Sequence, residues 1–426
     1  MKKRLIILVT MLFILMMAVP AMAEVNLDVN GKAYKPAYAP QVEAGTTMIP
    51  VSVAARTLGA DLTIQDKQIE LNKNGNILKM TEGSLAASYN GEDRTMPRAP
   101  ELKDGEMLVP LRFVCESLSA QVLWQEDAQT VAIQYQEKRN DMSAEEMLGK
   151  SSQALADANT YKMKLNMDMT LGMQSGSEGT TMNMKTQADC AYQEKPLVMY
   201  MKQQLSGASA DSSEKIENVK AEVLVNESGM YMTMPDYDGW IKLEVPGLDI
   251  KALMEQAGGQ DVMSSITKMK ESGMLLNYGN DGNKDGKDYW VLNITMSPDS
   301  FQNYLQSLMK QVPEVFNPPA EAANAENPLA LEELFKNMQV DMFYQMWIDQ
   351  KTFLPQFLDL DANMDLTMKI DDENKNPVEM SVQSKQNAKY ELYDFGIDFS
   401  VPDVSSAISM SDYMAKQTAE MGNANQ

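Results

Sequence analysis

Two hydrophobic rhythms divide this chain. From Tyr161 onward the period is two: in YKMKLNMDMTLGM, Met163, Leu165, Met167, Met169, Leu171 and Met173 fall on one side, and Lys162, Lys164, Asn166, Asp168 and Thr170 on the other. That is the pattern of a long strand with one apolar face. It returns at Met182/Met184, Met199/Met201, Met230/Met232/Met234, Trp290/Leu292/Ile294/Met296 and Met364/Leu366/Met368/Ile370. Helical periods interrupt it at about 250–271 and 298–311, and a stretch rich in Pro, Ala, Asn and Glu (VPEVFNPPAEAANAENP) follows the second. Long strands with few helices predict a large, curved antiparallel sheet, a half-barrel with a few packing helices.

Before Tyr161 the units are shorter and repeated. MLVPLRFVCESLSAQVLWQEDAQTVAI, residues 107–133, has a fainter copy in MIPVSVAARTLGADLTIQDKQIEL, residues 48–71. Aligned at Pro50 and Pro110, each copy reads as a short strand, a two-turn helix and a hairpin. Leu111, Val114, Cys115 and Leu118 lie at i, i+3, i+4, i+7, and Val51, Ala54, Ala55 and Leu58 do the same, so each helix buries one face. Val122 and Trp124 alternate on a strand whose partner carries Val131 and Ile133. Between the copies, ILKMTEGSLAASYNGEDRTMP predicts two strands closed by Asn90-Gly91. Each half has little apolar surface, which predicts that the two share one core. The expected fold class is α+β: a duplicated small domain over 24–136, a polar linker at 137–142, the Met-rich domain over 143–402 and a polar tail over 403–426. Ser143 and Glu146 have the spacing of a capping box, which starts the second domain with a helix.

Composition adds a location. Lys2, Lys3 and Arg4, the apolar run from Leu5 to Val19, and Ala21-Met22-Ala23 read as an export signal over 1–23. A secreted or wall-associated protein follows, with no cysteine at the cut to carry a lipid. No integral membrane span is expected, since no later stretch reaches the roughly 20 apolar residues that a spanning helix needs. The 37 Lys+Arg against 60 Asp+Glu give a formal net charge of −23, which repels nucleic acid. The two cysteines, Cys115 and Cys190, fall in different domains and are expected as buried free thiols. Histidine is absent, which removes Ser-His-Asp and Cys-His catalysis and every imidazole metal site.

The run GSLAASYNG followed by GEMLVPLRFVCESLSAQVLW resembles the copper amine oxidase N-terminal-like domain, or stalk domain, of exported proteins of Gram-positive-type bacteria, over about 25–136. Ser119 stands where that family has glycine, while the first copy keeps Gly59. The resemblance implies an accessory module for surface or wall association, not oxidase chemistry. The second domain resembles the LolA/LppX-like lipoprotein carriers: an opening helix, long Met- and Leu-bearing strands, and the turn in WIDQKTFLP before a strand. That resemblance implies a half-barrel that carries or senses a hydrophobic ligand.

Three readings of the methionines compete. They fill a core, they line a cavity for a greasy ligand, or they bind copper(I) through Met-x-Met clusters. Strand alternation explains Met-x-Met without a metal, which places copper last. The candidate ligand-binding residues are Met163, Met167, Met169, Met182, Met184, Met199, Met201, Met232, Met364 and Met368. Asp281, Asn283 and Asp285 match the start of a calcium loop, but Leu292 occupies the position of the bidentate Glu, which favours a hairpin turn. Ser212-x-x-Lys215 and Ser265-x-x-Lys268 lack the companion motifs of penicillin-recognising enzymes. The expectation is a non-enzymatic envelope protein with no cofactor, whose first domain meets a cell-wall component and whose second binds a lipid or other hydrophobic molecule. The competing expectation is a structural or adhesive protein whose methionines are all core.

Overall fold

The computed structural model describes residues 25–176, 178–210, 215–243, 262–311, 336–371 and 377–424. The export signal, the first half of the helix expected at 250–271, the Pro-rich stretch and Ser212 lie outside the described residues.

The first domain is two copies of one unit. The first copy comprises β1 (Asn26–Val29), β2 (Lys32–Tyr34), β3 (Gln41–Glu43), β4 (Thr46–Pro50), α1 (Val51–Leu58), β5 (Asp61–Gln65) and β6 (Gln68–Lys73). After β7 (Asn76–Thr81) come β8 (Ala86–Tyr89), β9 (Glu92–Thr95), β10 (Glu101–Lys103), β11 (Glu106–Pro110), α2 (Leu111–Ser117), β12 (Gln121–Gln125) and β13 (Thr130–Gln134). The segment between the copies thus holds three strands, β7 to β9, where the pattern suggested two. Asn90 and Gly91, both at positive φ, close the β8–β9 hairpin, as a two-residue turn matching strand twist requires.

The copies meet where β4 pairs antiparallel with β11, Ile49 opposite Val109, at the centre of a sheet ordered β10-β11-β4-β3. The β1–β2 hairpin crosses to the other copy: β1 runs parallel to β13, Leu27 opposite Val131. One core cluster draws on both halves, with Leu58, Ile69, Leu71, Leu111, Val114 and Cys115 all buried in it. Val122 joins this core, but Trp124 is 40% exposed because β12 is an edge strand.

The second domain opens with α3 (Ala144–Ala158), whose Ser143 side chain accepts from the Glu146 N–H while the Glu146 carboxylate accepts from the Ser143 N–H. The strands that follow are β14 (Thr160–Ser175), β15 (Glu178–Gln193), β16 (Val198–Ser209), β17 (Lys215–Asn226), β18 (Gly229–Met234) and β19 (Tyr237–Leu243). Then come α4 (Val262–Glu271), β20 (Leu275–Tyr278), β21 (Gly282–Lys284), β22 (Lys287–Met296), α5 (Pro298–Gln311), β23 (Met338–Asp349), β24 (Pro355–Asp371), β25 (Pro377–Tyr393), β26 (Ile408–Ser409) and α6 (Met410–Ala424). Among the described residues these strands form one 13-stranded sheet, ordered β20-β22-β23-β24-β25-β14-β15-β16-β17-β18-β19-β26 with β21 on β22. All its pairings are antiparallel except β19 with β26. The turn from β23 to β24 forms as expected: the buried Asp349 carboxylate accepts from the Lys351 and Thr352 N–H groups at 2.8 and 2.9 Å. The end of the chain, read as a polar tail, is instead the docked helix α6. Tyr413, buried with its ring edge-on to Tyr237, donates to the Asp236 carboxylate at 2.9 Å, which holds the helix on the sheet.

The two domains are joined by a buried polar seam. Lys73, only 2% exposed, sends its Nζ to the carbonyls of Gly59 (3.2 Å) and Tyr278 (2.6 Å) and to the Glu137 carboxylate (2.9 Å). Arg139 joins Glu137 to Asp281 and stacks over Tyr278. Asn280 donates to Asp61 and to the Asn72 carbonyl, and Arg56 pairs with Asp341 at 2.9 Å. Burial pulls the Lys73 ammonium below its ordinary pKa, with Glu137 opposing. Burial would raise Glu137, but Lys73 and Arg139 outweigh it and hold the carboxyl below its usual range.

The seam also explains why the two copies differ at one position. Both helices end in a left-handed residue, Gly59 (φ 67°) and Ser119 (φ 72°). A Cβ on Gly59 would lie 2.0 Å from the Tyr278 carbonyl oxygen, so there glycine is required twice over. Gly59→Ala should therefore lower stability by about 2 kcal/mol or more, and Ser119→Gly should raise it by about 0.5–1 kcal/mol, both read by urea denaturation. Lys73→Met leaves Glu137 and the carbonyls short of a partner inside the seam and should cost about 3 kcal/mol. A carboxyl with a depressed folded pKa adds stability above its unfolded value and loses it as pH falls through the folded value. Acid should thus weaken the seam below the ordinary carboxylate range, and Glu137→Gln should flatten that part of a stability-against-pH profile.

Candidate binding face

Residues directly opposite in an antiparallel ladder share a face, so the register decides which side chains meet. Met163 faces Cys190, Met169 faces Met184, and Leu171 faces Met182 between β14 and β15. Cys190 faces Met201 and Tyr192 faces Met199 on β16, Met201 faces Val223 on β17, and Val223 faces Met232 on β18. On the other side Leu171 faces Ser384 on β25, which faces Met364 on β24, and Met368 joins through Met380 opposite Ser175. All ten candidate methionines therefore project from one face of one sheet. None of them is buried: each is half-exposed. The alternate residues, such as Lys164, Asn166 and Asp168, are exposed on the opposite face.

The face is not uniform along the sheet. Toward β22 and β23 it is closed by helices: Leu292, Ile294 and Met296 are buried with Met147 and Leu148 of α3 and Ile266 of α4. Across β24, β25 and β14 to β18 the small residues Ala188, Cys190 and Ala388 are buried between half-exposed methionines. Burial alone pushes the Cys190 thiol up to about 11 and raises Tyr390, and it is the main cause raising Tyr161 and Tyr192. Met184 lies across Gly207, its Cγ 3.0 Å from where a Cβ would stand.

The opposite face carries a ladder of alternating charge that single-strand patterning could not show: Glu391, Lys164, Asp189, Lys202 and Glu222 stand opposite one another across five strands. Between these side chains runs a groove of about 430 Å³ lined by Lys164, Gln187, Asp189, Lys202, Lys220 and Glu222. Cross-strand pairs of this kind stabilise a solvated face.

The calcium-loop residues are divided among separate partners. Asp281 takes Arg139 in the domain seam, the Asn283 amide donates to Asp288 at 2.7 Å, and Asp285 turns the β21–β22 hairpin with Gly286. No group of three His, Cys, Asp or Glu side chains is placed to hold a metal among the described residues. Lys73 escaped the sequence reading although a signal for it existed. Ile69, Leu71 and Lys73 share the inward period of β6, so an ammonium was being sent into the core.

Residues 143–407 match the model of a family of unknown function, DUF6612, well over half the chain. The chain belongs to the DUF6612 family. Residues 28–133 match the copper amine oxidase N-terminal domain, in agreement with the motifs around Pro110; the match is to that domain and not to the oxidase's catalytic domain. No curated protein matches the chain. The DUF6612 domain is similar to the Mycobacterium tuberculosis lipoprotein LppX, at 11% identity over 61% of this chain and 98% of that one, with a TM-score of 0.28. It is also similar to a DUF1329 family protein from Desulfovibrio piger (12% identity, 60% and 93% coverage, TM-score 0.19). A third similarity is to lipovitellin, in a structure describing lipid-protein interactions (9% identity, 58% and 26% coverage, TM-score 0.23). Scores at this level carry no argument about what the DUF6612 domain binds. No helix among the described residues is long and apolar enough to cross a membrane.

Proposed function

We propose that this is an exported, non-enzymatic envelope protein whose DUF6612 domain binds a hydrophobic molecule, such as a lipid, on the methionine face. In this reading the sheet curves around that face as a half-barrel, and the amino-terminal domain associates with a wall component. One observation carries the reading: ten methionines from five strands share a face, and every one is left half-exposed. A methionine-rich surface of this kind, interrupted by Thr186, Gln203, Ser384 and Gln386, suits another largely apolar surface, and unbranched thioethers adapt to ligands of varied shape. The lack of histidine removes imidazole-based catalysis, and an enzyme would have to work with carboxylates alone.

A structural role is the second reading, favoured by the β22–β23 end, where the same face is closed under helices, Met296 is buried and Met342 and Met346 pack partly buried against that core. The two are separated by mass spectrometry of a solvent extract from the full chain exported by a bacterial host. A stoichiometric hydrophobic molecule is expected, and Met167→Asp or Met169→Asp should remove it while circular dichroism is unchanged. An unpaired polar group costs about 1–3 kcal/mol when buried and a charge costs more; at these partly exposed positions the carboxylate keeps water, so the fold is expected to survive. A folded chain that yields an empty extract and takes up no fluorescent fatty acid would sink the carrier reading.

A further inference from the structure

The register places a row of sulfur atoms on the methionine face that no motif in the sequence spells. Met163 on β14, Cys190 on β15 and Met201 on β16 stand directly opposite one another, the thiol between two thioethers. We propose that Met163, Cys190 and Met201 form a three-sulfur site for a soft monovalent cation, copper(I) or silver(I). The thiol is not the argument by itself; the argument is a thiol with a thioether on each side, at the spacing of one strand.

Geometry allows the three to converge. Opposite residues in such a ladder have Cβ atoms roughly 4.5–5.5 Å apart. A metal held about 2.3 Å above Cys Sγ, the bond length of zinc thiolates, is within the swing of two flexible methionine side chains. Met163 and Met201 are half-exposed, so the row is reached from the open side of the face, while Cys190 beneath is 7% exposed.

Charge and ligand type select the ion. The row continues as Leu392, Met163, Cys190, Met201, Val223 and Met232, and the flanking row on one side is Tyr161, Tyr192, Met199 and Val225, on the other Leu165, Ala188, Gln203 and Ala221. None of these is an acid, and the chain has no histidine. A divalent ion on one thiolate would leave net positive charge on an apolar face, which is costly. A monovalent ion on one thiolate is neutral, and thiolate with thioether is the donor set soft ions prefer. On binding, the Cys190 S–H bond breaks, the sulfur–metal bond forms and the proton leaves to solvent. No electron is transferred.

Met163 and Met201 also belong to the face proposed to bind a hydrophobic molecule, and the metal site is tested without any lipid so that the two readings fail separately. The full chain in a Cys115→Ala background, kept reduced and free of oxygen, is titrated with silver(I) against a competing chelator. Native mass spectrometry and thiolate charge-transfer absorbance read the binding. One equivalent is expected, lost in Cys190→Ser and weakened at least about tenfold in Met163→Leu/Met201→Leu, whose near-equal volumes preserve packing. Binding that survives Cys190→Ser overturns the proposal. So does an unchanged affinity in the double leucine variant, which would mean a bare thiol; that variant keeps the test decisive if Cys190→Ser does not fold.

Discussion

Cross-strand register is the constraint on which the rest of this structure depends. A strand of period two fixes only that its methionines share a side; a ladder fixes which neighbours they share it with. Because β14 pairs with β15 and β25 without a break, Met163, Cys190 and Leu392 become one row, and Met169, Met184 and Gln386 another. A slip of one residue on β15 would send Cys190 and Met184 to the charged face and bring Asp189 and Lys185 to the apolar one. The penalty for that exchange runs the length of the strand, which is why the register is well specified. The charge ladder on the opposite side makes the same demand from the solvated face.

The second organising feature is the seam around Lys73. An ammonium at 2% exposure is tolerable only where it is fully engaged, and Lys73 reaches a helix-end carbonyl, a strand-end carbonyl and a carboxylate. Because two of these belong to Gly59 and Tyr278, the ammonium ties the end of α1 to the end of β20. The short polar segment at 137–142 is accordingly part of the joint: Glu137 and Arg139 sit within it, and Arg139 pairs with Met142 as a bridge before α3 begins. The amino-terminal domain presents exposed edge strands of its own, including β12 with Trp124.

Much of the architecture was legible because it is local. The helices of both copies bury the residues their spacing named, the capping box at Ser143 forms, and the Asn90-Gly91 and Asp285-Gly286 turns close hairpins. What failed to read depended on neighbours distant in sequence. Trp124 follows the inward period but lies on an edge strand, and the residues after 403 look like a tail until Tyr413 meets Asp236. The β1–β2 hairpin resembles β8–β9, yet it crosses to pair with β13.

The sequence by itself determined the repeat, the strand periods, the acidic charge, the absence of histidine and the side of each strand on which its methionines lie. Periodicity and composition are properties of a chain taken a few residues at a time. Only the tertiary structure decided which strands are adjacent, that one part of the methionine face is closed by helices while another stays half-exposed, and that a thiol stands between two thioethers. Those outcomes rest on pairings between residues tens to hundreds of positions apart, such as Met163 with Leu392, and no local pattern encodes the partner.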